Sequence, residues 1–146
     1  MGITFVLGTV QILLLIAASI QDWKTNTVEH EFPILILVIS FLHAGYLTIA
    51  NDNPFIMLAY MGVALLGLSL GFAAWKYLDF GAQDAKILMG VAAFFTFSQF
   101  LGVYLPSLAV LLLINGLLLK RKLIHNKALV HVITAAFVLT LVLIKF

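Results

Sequence analysis

The stretch "AKILMGVAAFFTFSQFLGVYLPSLAVLLLINGLLL", residues 85–119, decides the fold, because it is either one over-long membrane helix or two helices with a turn between them. An apolar run of about 17–25 residues crosses the hydrocarbon core as a helix. Residues 85–119 exceed that length and contain Gly102 and Pro106, the natural turn formers of "GVYLPS". The spacing therefore predicts two helices, at about 85–100 and 104–119.

Working outward, apolar runs predict helices at 3–20, 33–50, 54–75 and 128–145, six in all. The chain has 146 residues, 64% hydrophobic and 10% charged, with a mean hydropathy of +1.17. A soluble domain of that length has too much surface for its volume to hide so much apolar area. Its solvent is a bilayer. The expected fold is an all-α polytopic membrane protein of six transmembrane helices, one domain over 1–146, with only loops between spans. No basic segment precedes the apolar run of "MGITFVLGTVQILLLIAASI", which favours a first span over a cleaved secretory signal.

Charge sets the expected orientation. The loops at 21–32, 76–86 and 120–127 carry Lys24, then Lys76 and Lys86, then "KRKLIHNK", while 51–53 and 101–106 carry no Lys or Arg. Positive charge gathers on the cytoplasmic side. Both termini are then extracytoplasmic, in a plasma membrane, and the split of 85–119 is required to keep the "KRK" cluster inside. Trp23, Trp75 and Tyr77 suit an aromatic belt at that interface.

There are no cysteines, which excludes disulfides, thiolate nucleophiles and cysteine-ligated zinc. The short basic clusters give no nucleic-acid footprint. Of six acids, Asp52 falls in an outer loop, while Asp22, Glu29, Glu31, Asp79 and Asp84 fall at the cytoplasmic face. Asp22 stands at the end of the first helix and Asp84 at the start of the fourth. Two readings of these aspartates stand at this point. Asp84 can simply cap its helix and Asp22 decorate the interface. Or the two can meet across the bundle, share one proton, and activate water against a peptide carbonyl without metal or cofactor.

The flanking residues bear on that choice. "DWKTNTVEH", 22–30, resembles the first signature of the type IV prepilin peptidase family: Asp22, Lys24 and Val28 match, while Glu29 and His30 stand where Pro-Asn is usual. "GAQDAK", 81–86, is similar to the second, Gly-x-Gly-Asp-x-Lys: Gly81, Asp84 and Lys86 match, and Gln83 replaces the second glycine. The resemblance covers the whole chain. It implies an intramembrane aspartic endopeptidase with Asp22 and Asp84 as the catalytic pair and Gly81, Lys24 and Lys86 supporting them. Its substrates would be pilin-like or archaellin-like precursors, cut at the cytoplasmic face to remove a short basic leader. The size resembles the peptidase-only members, so methylation is not implied.

Other residues have their own expectations. Glu29 and Glu31 could attract the basic leader. His43, inside the second helix, is expected to bond Gln11, Gln99 or Asn115 across the bundle. His30 beside two glutamates hints at a metal, but no second cluster supports one. Asp79 is the rival of Asp84. "GLSLG", 67–71, is a GxxxG pattern expected to pack within the bundle. The competing class is a non-catalytic assembly factor or small transporter. A transporter would place ionisable groups at mid-membrane, and an assembly factor would tolerate Asp→Asn at both sites.

Overall fold

The computed structural model describes residues 2–25, 27–78, 81–120 and 129–144, which form helices and, among those residues, no strand. Asp79 and residues 121–127 of the basic cluster lie outside the described residues. Four helices are long and apolar enough to cross a membrane. They are α1 (Ile3–Thr25), α2 (Glu31–Ala50), α3 (Phe55–Leu78) and a rod made of α5 (Phe97–Gln99), a π-helical turn (Phe100–Tyr104) and α6 (Leu105–Lys120). Besides these, α4 (Ala82–Ala92) has only 11 residues, about 16 Å of rise, and α7 (Val130–Leu143), after the rod, has 14.

The break in the long apolar stretch is not at Gly102 and Pro106. It lies at Ala93–Thr96, and the chain then runs helical through both of those residues. Two local features account for this. Thr96 and Gln99 form a reciprocal capping box: the Gln99 N–H donates to Thr96 Oγ1 at 3.4 Å, and the Thr96 N–H donates to Gln99 Oε1 at 3.1 Å. That satisfies donors at a new helix start. The π turn then ends just before Pro106, where a proline would otherwise meet a carbonyl one turn back. The wider turn absorbs the proline without ending the helix.

Helices in lipid gain little from apolar burial and depend on close approach and polar links. Both are present here. A Cβ added at Gly71 would stand 2.8 Å from the Ala85 Cα, and one at Gly90 would stand 2.7 Å from Ile36 Cγ2, so α4 is wedged between α3 and α2. The GxxxG stripe packs inside the bundle as expected, with Gly67 facing Leu88 and Ala92. A buried polar chain joins three helices: Gln11 Nε2 donates to Ser40 Oγ at 3.1 Å, and Ser40 Oγ donates to the Gly90 carbonyl at 2.6 Å. Phe94 and Phe95, placed inward by the break, form an aromatic core with Phe100, Tyr104 and Phe137. Outward faces present leucine and valine to lipid, as at Leu13, Leu58, Leu113 and Val142.

His43 departs from its expectation. Its ring stacks on Phe94 at 4.3 Å and meets Tyr60 edge-on, while Gln11 serves Ser40, Gln99 caps α5, and Asn115 Oδ1 faces His131 Nε2 at 3.3 Å.

Candidate functional site

Helix α1 continues past its apolar run to Thr25, so Asp22 is a helical residue in the last turns rather than a residue after the helix. It falls on the same face as Gln11, Leu15 and Ala18, and that face turns its carboxyl into the bundle, 6% exposed. Asp22 Oδ2 accepts the Val130 N–H at 3.2 Å, the first amide of α7. One carboxylate from the first helix thus caps the last.

Asp84 is likewise helical, at the third position of α4 rather than before it, and is 8% exposed. Its Oδ2 accepts the Gly81 N–H at 2.9 Å, folding the side chain back over the helix start. That fold-back explains the glycine, since a Cβ at position 81 would stand 3.0 Å from the same oxygen. Helix α4 is not among the four helices long and apolar enough to cross a membrane. Burial there pushes the Asp84 carboxyl up to about 6; the Gly81 N–H opposes the shift, and the negative charge of Asp22 adds to it.

The two aspartates line one cavity of about 210 Å³, with Thr27, Val28, Gly81, Ala82 and Gln83 as the other walls. At roughly 30 Å³ per molecule of liquid water, it has room for several waters. Asp22 and Asp84, expected to approach each other across the bundle, thus border the same cavity. The remaining expected residues lie around it differently. Lys24 and Lys86 are exposed on α1 and α4, as are Glu29 and Glu31 near the start of α2. Glu31 lies in the first turn of α2, where the helix dipole favours an acid.

The sequence did not announce the loop that walls the cavity. Val28 is buried in the core, the Glu29 N–H donates to Gln21 Oε1 at 3.0 Å, and His30 Nδ1 meets Gln83 Nε2. Its signals were present only as a lone Val among polar residues and as two departures from the motif. His30 holds no metal cluster: among the described residues no group of three His, Cys, Asp or Glu could hold an ion.

Comparison with known proteins bears on the family of the chain. Residues 9–144 match the model of the type IV leader peptidase family. The chain is 27% identical over 126 residues to the preflagellin peptidase of Methanocaldococcus jannaschii, covering 79% of this chain and 52% of that one. It is 28% identical over 118 residues to the preflagellin peptidase of Methanococcus voltae, covering 74% and 50%. The chain thus spans about half the length of these curated relatives. No solved structure matches it. With nearly its whole length matched by the family's profile, this chain belongs to the type IV leader peptidase family.

Proposed function

We propose that the chain is an intramembrane aspartic endopeptidase that removes the short basic leader of pilin-like or archaellin-like precursors at the cytoplasmic membrane face. The observation that carries this reading is the shared cavity: Asp22 and Asp84, from helices far apart in sequence, enclose one small space with Asp84 biased towards its protonated form. The family membership and the preflagellin peptidase relatives support the substrate class. The Lys-bearing ends of α1, α3 and α4 support the cytoplasmic placement and the extracytoplasmic termini.

In this mechanism Asp84 is the acid and Asp22 the base. Asp84 Oδ2 is held by the Gly81 N–H, leaving Oδ1 to carry the proton and donate it to the scissile carbonyl. Asp22 Oδ2 is held by Val130, leaving Oδ1 to take a proton from water. The water oxygen bonds to the carbonyl carbon, the C–N bond breaks, and the amine leaves with a proton returned by the dyad. No metal or covalent intermediate takes part. A cavity at the membrane interface is readily supplied with water, and a precursor with its apolar helix in lipid delivers its leader junction to the same depth.

The reading is tested by incubating the purified chain with archaellin-like and pilin-like precursors in detergent and locating the cut by mass spectrometry. The pH dependence has a definite sign. A carboxyl raised to about 6 is protonated below that pH and ionised above it. If Asp84 is the acid, kcat/KM falls about tenfold per pH unit above pH 6, as measured from about pH 5 to 8. A rise across the same range would reverse the assigned roles.

Glu29 and Glu31 are exposed beside the cavity loop, placed to attract a basic leader. Glu29→Lys/Glu31→Lys should raise KM several-fold with kcat nearly constant, more strongly at low than at high ionic strength. An unchanged KM would make these acids mere solvated surface.

A further inference from the structure

We infer that His30 and Gln83 form a clasp that ties the α1–α2 loop to the first turn of α4 and so sets the width of the cavity between Asp22 and Asp84. The two residues are 53 positions apart in sequence, and their side chains meet through His30 Nδ1 and Gln83 Nε2. Each end of the clasp reaches the site directly. Gln83 is itself a wall of the cavity and precedes Asp84. His30 ends the loop whose Thr27 and Val28 also line the cavity.

The loop is pinned at three points: Val28 in the core, the Glu29 amide on Gln21 of α1, and His30 on α4. The Glu29 amide holds the loop to α1, where Asp22 lies, and Val28 anchors it in the shared core. His30 adds a side-chain hydrogen bond to the helix that carries Asp84. Removing it leaves the polar tie to α1 in place and loosens the one to α4. Gln83 Oε1, the other half of the same amide, makes no hydrogen bond to the described residues. The residues act by positioning: they fix how large a side chain fits beside the scissile bond.

That specificity role rests on the peptidase reading, whereas the clasp itself can be measured without it. The chain has no cysteine, so Glu29→Cys and Lys86→Cys introduce the only two thiols, both at exposed positions on either side of the bridge. Spin labels there should give a narrow distance distribution in the parent, broadened by His30→Ala and equally by Gln83→Gly. The double variant should be no broader than either single one. In the absence of labels, cleavage of precursor peptides carrying Gly, Ala or Leu beside the scissile bond should discriminate against Leu. His30→Ala should reduce that discrimination about tenfold while the rate on the best peptide stays within about threefold. Unchanged distances would overturn the clasp, and so would unchanged selectivity in an active enzyme. Broadened distances in a chain inert towards every precursor would keep the clasp and sink the peptidase reading.

Discussion

Asp84→Asn should lower leader removal by about 10²–10⁴-fold, the usual contribution of a positioned acid or base. Asp22→Asn should do the same, and the double variant should be no worse than the poorer single one, because the pair acts as a unit. Asparagine is the right substitution because it keeps the geometry while removing the chemistry. Its side-chain oxygen at position 22 can still accept the Val130 N–H, and at position 84 it can still accept the Gly81 N–H. Both variants should therefore insert and purify like the parent. The measurement is single-turnover cleavage of one precursor, with gel filtration in detergent as the control for folding. Full activity in Asp84→Asn would remove Asp84 from the mechanism and return Asp79 to consideration.

Gly71→Val should be as damaging by a wholly different route. Its first added carbon would lie 2.8 Å from the Ala85 Cα and 2.9 Å from the Ala85 carbonyl oxygen, atoms that no rotamer change can move. Overpacking of a core costs about 1–3 kcal/mol when side chains can give, and backbone against backbone costs more. Helix α4 must shift away from α3, and Asp84 sits on that shifting turn. Folding yield and cleavage should both collapse. Gly62→Ala on the same helix meets nothing within 4 Å and should be neutral or slightly stabilising. A thermal melt in detergent that ranked the two alike would show that the α3–α4 contact is not what holds this bundle.

Four of the six expected spans were legible because bilayer thickness dictates their length and composition, whereas α4 and α7, with 11 and 14 residues, are shorter than a span. Asp22 and Asp84 stood out because charge beside a long apolar run is rare. What the sequence concealed has specific causes. Gly102 and Pro106 are conspicuous breakers, yet a π turn accommodates the proline and the glycine rides within it. The working break was written more quietly, in the Thr96-Phe97-Ser98-Gln99 capping box, a signature lost among aromatic residues. The extension of α1 to Thr25 escaped a reading based on apolar runs, since Gln21, Asp22 and Lys24 continue the helix as a polar end. His43 meets Phe94 rather than Gln11, Gln99 or Asn115 because the break brings Phe94 to it. The cap on Val130 and the His30–Gln83 bridge are contacts across 108 and 53 residues, set by docking and invisible to local pattern.

The amide of Val130 resting on Asp22 has a consequence for ancestry and decay. On the proposed mechanism, position 22 answers to two selections at once, one for hydrolysis and one for capping the last helix. A descendant that gave up hydrolysis would still be constrained to keep an oxygen acceptor there, and by the Gly81 amide at position 84 as well. Loss of function in this lineage should therefore leave asparagine or serine as its residue of record, with alanine purged. An intact fold bearing asparagine at either position would then be the fossil of an enzyme, and not of a protein that never had the chemistry.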